Sequence, residues 1–346
     1  MTRRKDESSQ SITVVDIAKK AGVSITTVSR VTNNSNLVGK KTRNKVQKVI
    51  AEMNYIPNQM ARGLSARRSK TIALIIPDIS NPFFPELIHG VEDVVNKQGY
   101  SMFLCNSNFN HEKEKSYINE MAERRVDGVI IISAFLQDKS LIKRLNETTM
   151  RIVTIQSQIE GIDCIKTTDY NGMTEAIEHL IGLGHRKIAF ICIDLCGCKN
   201  RYSAYTDVLT RNGISVNEEY VVENCKESSS KQNAGYLMTK RLLELTNPPT
   251  AIQTLNDYLA FGAYMAVVEK GLRIPEDISI VGYDDVTMAR QVNPALTTVS
   301  QPAYAMGEAG GELLIKNISD GLNLICKEIV LPTKLIIRGS TGRVFE

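Results

Sequence analysis

No run of roughly 18 consecutive apolar residues occurs in this 346-residue sequence, so no segment is long enough to cross a bilayer as a helix, and no membrane partner is expected. The opening residues, MTRRKDESSQS, are polar throughout and lack the apolar core of a secretion signal, which points to a soluble protein that stays in the cytoplasm. Histidine is scarce, at four, and the seven cysteines are odd in number and spread over a long chain. Without a secretion signal that pattern predicts reduced thiols and no disulfide framework. Cys192, Cys196 and Cys198 do cluster, but no second Cys or His pair stands nearby at zinc spacing, so they read as structural thiols and no metal is expected. Two phosphate-binding patterns are missing as well: no glycine-rich dinucleotide fingerprint follows the first strand, and no GxxxxGK[ST] occurs. An enzyme using Asp257, Asp284 and Asp285 as acid-base carboxylates would lack a nucleophile constellation, metal spacing or cofactor loop, so neither catalysis nor a cofactor is expected.

What is present is unevenly distributed. Through Lys70 the sequence has 15 lysines and arginines against 4 acidic residues; beyond it the balance is 27 against 34. A basic end is joined to a mildly acidic body. Because the basic residues lie within segments of helical periodicity, they fit a folded nucleic-acid module better than a solvated arm. The body, in a chain that is 42% hydrophobic, can bury a substantial core.

The basic end reads as a helix-turn-helix. Thr13 starts a short amphipathic helix, with Asp16 at capping-box spacing and Val14, Ile17 and Ala18 on one face. Ala21-Gly22-Val23 makes a tight turn, and Ser24 caps a second helix through Val31. A third helix spans about Lys41 to Met53, capped weakly by Gly39, and Val46, Val49 and Ile50 close a small core with Ile17, Val23 and Val28. Tyr55-Ile56-Pro57 breaks that helix. Asn58 to Leu64 could add two more turns, but a helix so short, with Gly63 inside it, is marginal alone and is expected to order only on DNA. Residues 65–70 form a basic linker.

From Thr71 the pattern alternates apolar strands (TIALIIP, SMFLC, DGVIII, then KIAFICI, TAIQTL, ISIVGYDD) with helices over Phe84–Gln98, Glu112–Glu123, Met173–Leu183, Arg201–Arg211, Ala234–Leu245 and Ala260–Lys270. Two successive βαβ sets predict two similar lobes built on parallel sheets.

VDIAKKAGVSITTVSRVTNN followed by NYIPNQMARGL resembles the signature of the lactose-repressor and galactose-repressor family of bacterial regulators. Matches continue through IIPDISNPFFPELIHGVE, RVDGVIII, LIGLGHRKIAFI, LNDYLAFGA, GLRIPEDISIVGYDD and NPALTTVSQP, so the resemblance covers nearly the whole chain. It implies an α/β protein: an all-α helix-turn-helix domain with a disordered N-terminal arm over 1–57, a hinge helix and linker over 58–70, and a two-lobed periplasmic-binding-protein-like domain over 71–346. The N-lobe would comprise 71–168 and 302–328, the C-lobe 169–301 and 329–346. The implied function is a repressor that binds a pseudo-palindromic operator as a homodimer, since two-fold operators need two-fold proteins, under the control of a small effector, a sugar. No leucine heptads follow the strand-like KEIVLPTKLIIR, which favours a dimer over a tetramer. A purine, another metabolite or a partner protein as effector is the alternative; a secreted solute-binding protein would have no use for the basic segment.

Residues that reach base edges should lie early in the second helix: Ile25, Thr26, Thr27, Ser29 and above all Arg30, suited to bidentate readout of guanine. Lys40, Lys41, Arg43 and Lys45 would hold phosphates. The resemblance extends the DNA surface to Thr13, Ser24, Asn33, Tyr55, Asn58 and Ala61, and makes Leu64 the wedge that enters the minor groove. In the body, Asn81 can cap a helix begun by Pro82, placing Phe83 and Phe84 at a strand's carboxyl end, where open α/β sheets bind ligands. The resemblance makes these three residues sugar contacts, together with Arg201, Asn256, Asp257 and Asp284. Gln301 sits at a crossover between lobes and adds a contact. A carboxylate accepting from paired hydroxyls and a guanidinium donating to ring oxygens suit a polyol. Ala204 replaces the family's usual glycine, and the stretches Cys196–Asn200 and Lys226–Asn233 are unusual, so the ligand on that side of the cleft is expected to differ.

Overall fold

The computed structural model describes residues 12–32, 35–55, 68–132, 150–195, 197–223, 231–320 and 326–344. They fall into two units, Met1–Ser69 and Lys70–Glu346.

In the first unit α1 spans Val14–Ala21, α2 Ile25–Thr32 and α3 Lys40–Glu52. Each boundary has a local cause. Thr13 and Asp16 close a reciprocal capping box: the Asp16 carboxylate accepts from the Thr13 N–H at 2.9 Å, while Thr13 Oγ1 accepts from the Asp16 N–H. Gly22 ends α1 with φ 59°, a left-handed conformation that a side chain would resist. Ser24 Oγ then accepts the Thr27 N–H at 3.1 Å and starts α2. Gly39 precedes α3 without a side-chain cap. Ile17, Ala18, Ala21, Val28, Val31, Val46 and Val49 form the core, with Val23 and Ile50 packed on its edge.

The second unit holds two six-stranded sheets. The first contains β1 (Thr71–Ile76), β2 (Ser101–Asn106), β3 (Gly128–Ile132), β4 (Arg151–Ile155), β5 (Asp163–Thr167) and β11 (Glu328–Leu331), in the order β11-β5-β4-β3-β1-β2 and parallel throughout. The second contains β6 (Ile188–Cys192), β7 (Val221–Glu223), β8 (Ala251–Thr254), β9 (Ser279–Asp284), β10 (Thr297–Ser300) and β12 (Lys334–Ile336), in the order β12-β10-β9-β8-β6-β7, with only β12 antiparallel. β1, β3, β6, β8 and β9 are buried almost end to end, the mark of strands covered by helices on both faces. The covering helices are α4 (Phe83–Lys97), α5 (His111–Glu123), α6 (Asp169–Gly182), α7 (Lys199–Arg211), α8 (Lys231–Leu243), α9 (Asp257–Glu269) and α10 (Ala303–Asp320). α10 crosses back to pack on α4, so closely that a methyl on Gly90 would sit 2.2 Å from the Tyr304 carbonyl oxygen.

One boundary between lobes differs from the sequence-based expectation. β11 pairs with β5 from Glu328 to Leu331, so residues 329–331 belong to the first lobe; the return to the second runs through 332–333. Thr333 fixes that crossing, its N–H donating to Thr168 Oγ1 at 2.9 Å. Three crossings among the described residues, after β5, after β10 and after β11, therefore lie at carboxyl ends of parallel strands. Those ends approach one another: Gln156, which follows β4, donates through Nε2 to Gln301 Oε1, which follows β10, at 2.9 Å.

Candidate DNA-reading surface and effector cleft

On the small unit, Ile25 is 48% exposed, and Thr26 and Arg30 are exposed on the same helix. Among the described residues nothing holds the Arg30 guanidinium, so it stands ready for an external acceptor. Ser29 is half-buried. Thr13, Ser24 and Thr27 are engaged in helix starts, Ser24 Oγ and Thr27 Oγ1 lying 2.9 Å apart. Lys40, Lys41 and Lys45 are exposed on α3, as phosphate-holding residues must be. Arg43 departs from the expectation: it is half-buried and donates to the Ser35 carbonyl at 2.5 Å, tying the α2–α3 loop to α3. Tyr55 departs too, since its ring packs against the small core. Asn33, Asn58, Ala61 and Leu64 lie outside the described residues.

In the large unit, Asn81 Oδ1 accepts the Phe83 N–H at 3.0 Å and opens α4 as expected. Phe83 and Phe84, however, are each only 4% exposed and meet edge to face at 5.5 Å within the main core. They do not offer a free ring face; the turn after β1 delivers them into the core of the first lobe.

The second lobe brings three expected residues together. Arg201, in the first turn of α7 and 8% exposed, lies 3.6 Å over the Tyr283 ring and donates to the Leu255 carbonyl at 2.8 Å and Asp169 Oδ1 at 3.2 Å. Asp284 ends β9 with φ 118°, a left-handed backbone conformation unusual for a side-chain-bearing residue. Asp285 beside it, also at positive φ, is held by Arg338 and Arg290, which anchors the strained pair. Asp284 Oδ1 accepts Gln301 Nε2 at 2.7 Å, and no hydrogen bond reaches its second oxygen among the described residues. Burial pushes the Asp284 carboxyl up to about 7; Arg201 and Gln301 oppose the shift and Asp169 adds to it. Gln301 in turn accepts from Gln156 and, at 3.2 Å, from Thr167.

Asn256 and Asp257 hold bonds within the fold. Asn256 Oδ1 accepts the Leu259 N–H at 2.9 Å as the cap of α9. Asp257 is fully buried, with one oxygen accepting Thr298 Oγ1 at 2.6 Å and the other the Val286 N–H at 2.9 Å, so it ties α9 to the ends of β9 and β10. Burial, reinforced by Asp284, raises its carboxyl well above the usual range. Four residues of the network went unread in the sequence: Gln156, Thr167, Asp169 and Tyr283. Asp169 is central, one oxygen taking donors from Thr167 at 2.8 Å, Tyr283 at 2.9 Å and Arg201. Its position directly after a crossover, and that of Tyr283 directly before Asp284, were the available signals. Among the described residues no group of acidic, His and Cys side chains is placed to hold a metal, and no helix is long and apolar enough to cross a membrane.

Residues 13–58 match the family model of bacterial regulatory proteins, lacI family, and residues 177–341 that of a periplasmic binding protein-like domain. The chain is 36% identical over 337 residues, 95% of its length and 98% of the relative's, to the HTH-type transcriptional regulator DegA of Bacillus subtilis (strain 168). It belongs to the lacI family. The lac repressor dimer, solved bound to operator and the anti-inducer ONPF, matches with TM-score 0.82 and 28% identity over 96% of this chain and all of that one. A LacI family transcriptional regulator from Enterococcus faecium, solved with bound ribose, matches with TM-score 0.71 and 32% identity over 80% of this chain and all of that one. The chain is thus a DNA-binding transcriptional regulator of the lacI family and not an enzyme, with the helical N-terminal module and two-lobed α/β body of its relatives.

Proposed function

We propose that this regulator represses transcription in the cytoplasm by binding a pseudo-palindromic operator as a homodimer, and that a sugar entering the cleft between its lobes changes operator affinity. Arg30, Thr26 and Ile25 would read base edges in the major groove, Lys40, Lys41 and Lys45 would hold phosphates, and Leu64 would wedge into the minor groove. One observation carries the choice of effector class. Asp284, buried with one carboxylate oxygen not engaged, stands in the same network as Arg201 and Gln301. A carboxylate, a guanidinium and an amide suit the adjacent hydroxyls and ring oxygen of a pyranose or furanose. A purine would need a flat aromatic face to stack on, whereas Phe83 and Phe84 are buried against each other. The ribose bound to the Enterococcus faecium regulator supports the same class. Asn81, which follows the facing lobe's β1, would complete the site.

A thermal-shift screen of pentoses, hexoses and purines tests the reading. A native-state ligand at one hundred times its Kd adds about 2.7 kcal/mol of stability. A pentose or hexose should raise the melting temperature and change operator affinity, and by linkage operator must change sugar affinity by the same factor. A response to purines alone, or to none of these, would overturn the assignment.

A further inference from the structure

Positive and negative groups are unevenly matched around Arg201. Asp169 follows β5, Asp257 follows β8, and Asp284 closes β9 with Asp285 beside it, so all these carboxyls stand at carboxyl ends of strands. Thr167 and Gln301 join Asp169 to Asp284 through successive hydrogen bonds. Arg201 lies 3.2 Å from Asp169; Arg290 lies 3.2 Å from one oxygen of Asp285, and Arg338 bonds the other. Each of these guanidiniums already faces a carboxylate. Among the described residues, the hydrogen bonds to Asp284 and Asp257 come from uncharged donors instead: Gln301 Nε2 to the first, the Thr298 hydroxyl and the Val286 N–H to the second. Both carboxyls are buried and raised by that burial, Asp284 to about 7. Surroundings that hold a carboxyl back from ionising also resist a further anion, because both must give up water.

We propose that the cleft takes an electrically neutral sugar and rejects the phosphate esters of that sugar. This rests on the sugar reading above and narrows it by charge. A neutral ring suits the groups present. One hydroxyl donates to the Asp284 carboxylate, and Arg201, whose bonds to Leu255 and Asp169 engage Nη1 and Nη2 once each, donates from its remaining N–H groups to hydroxyl and ring oxygens. A phosphate monoester brings roughly one and a half to two negative charges near neutral pH. To pair with it, Arg201 must give up Asp169, which leaves a carboxylate without its cation beside the incoming anion. Arg290 and Arg338 would strand Asp285 in the same way. Lys199, two residues before Arg201, is exposed, and a solvated ammonium offsets little of that cost. Like charges brought together in a site of this kind should separate the two affinities by at least about a hundredfold.

Isothermal titration calorimetry of the full-length protein at pH 8 with matched ligands tests the proposal. The pairs are ribose with ribose 5-phosphate, glucose with glucose 6-phosphate and glucose 1-phosphate, and galactose with galactose 1-phosphate. Whichever free sugar binds should do so at least about a hundredfold more tightly than its phosphates. An acetyl ester at the same hydroxyl adds bulk without charge, and should bind at least about tenfold more tightly than the phosphate. A phosphate ester that binds as tightly as its free sugar, or an acetyl ester excluded as strongly as the phosphate, overturns the proposal and leaves the sugar reading standing. If neither the sugars nor their phosphates bind, the sugar reading fails and this inference fails with it.

Discussion

Replacing Asp284 by Asn should make the protein more stable at pH 8 while destroying its response to effector. The Asp284 carboxyl is pushed from an ordinary 3.8 up to about 7 by burial, so the folded state binds its proton far more tightly than the unfolded state does. Its proton uptake therefore stabilises the fold fully below about pH 4, and that contribution is lost as pH rises through 7. A shift of three units at about 1.4 kcal/mol each sets an upper bound of roughly 4 kcal/mol on what the ionised form costs at pH 8. Asn keeps the acceptor for Gln301 Nε2 and removes the charge, so about 1–3 kcal/mol should be regained. In a domain of this size that corresponds to a rise of about 2–4 °C per kcal/mol. Asp257, whose carboxyl is raised by burial and by the Asp284 charge, contributes to the pH dependence of both proteins, less in the variant because that charge is gone. Differential scanning calorimetry of native protein and Asp284→Asn from pH 5 to pH 9 is the assay, with titration of the sugar that the thermal screen selects. If hydroxyls bind the carboxylate, native affinity should rise about tenfold from pH 6 to pH 8, since the ionised fraction grows by that factor around a pKa near 7. A variant less stable than native protein at pH 8, a stability difference independent of pH, or flat effector affinity over that range would refute the reasoning.

Arg30→Ala should weaken operator binding by about 1–3 kcal/mol and relax preference at one base pair, measured by fluorescence anisotropy on operator and scrambled duplexes; equal loss on both would remove Arg30 from base readout. His185, buried between Thr250 and Ser279 hydroxyls, has its pKa lowered to about 4 by burial. Its neutral form stabilises the fold above about pH 6.5, and that stability, up to about 3 kcal/mol, is lost as pH falls through 4 because the unfolded chain then binds the extra proton; urea titrations of native protein and His185→Asn should diverge across that window. Asp257→Ala should cost about 2–4 kcal/mol in chemical denaturation by orphaning the Val286 N–H and the Thr298 hydroxyl, and should leave the order of preference among sugars unchanged.

The helices and strands most legible in the sequence were those whose signal is local. Thr13, Gly22 and Ser24 mark their boundaries by their own side chains or by the lack of one, and the runs TIALII and ISIVGYD announce strands covered on both faces. β5 (DCIKT) and α10 were not legible, because what holds them is distant: Asp163 accepts from Asn317 at 2.7 Å, and α10 carries Gly307, Gly310 and Gly311, poor helix formers whose value lies in how closely α4 and β4 approach. The cleft divides in the same way. Arg201, Asp284 and Gln301, picked out by pattern, share one hydrogen-bonded network, but Asp257, adjacent to Asn256 and of the same type as Asp284, faces Val286 and Thr298 instead. Residue type and spacing do not reveal which of two neighbouring carboxylates keeps an oxygen without a hydrogen bond among the described residues. That depends on the backbone turn at each: Asp284 sits at positive φ, whereas Asp257 opens a regular helix.

Gln301 shows how such a cleft can report its occupancy under the proposed function. Its amide nitrogen is committed to Asp284 in one lobe, and its amide oxygen to Gln156 and Thr167 in the other. An effector hydroxyl that takes the Asp284 carboxylate either shares the 2.7 Å bond from Gln301 or replaces it. Replacement frees the amide to turn, and a turned amide no longer presents its oxygen to Gln156 and Thr167. Thr167 has one hydroxyl proton to divide between Gln301 and Asp169, so a turned amide leaves that proton to Asp169, which holds Arg201. Ligand recognition and the bonds between lobes thus meet at one carboxylate, so an effector that replaces Gln301 on Asp284 also changes the inter-lobe contacts. Gln301→Ala should separate the two: it leaves Asp284 and Arg201 in place for the sugar but removes the bridge. Sugar affinity should then change less than the coupling between sugar and operator, and a variant that kept full coupling would show that the signal travels by another route.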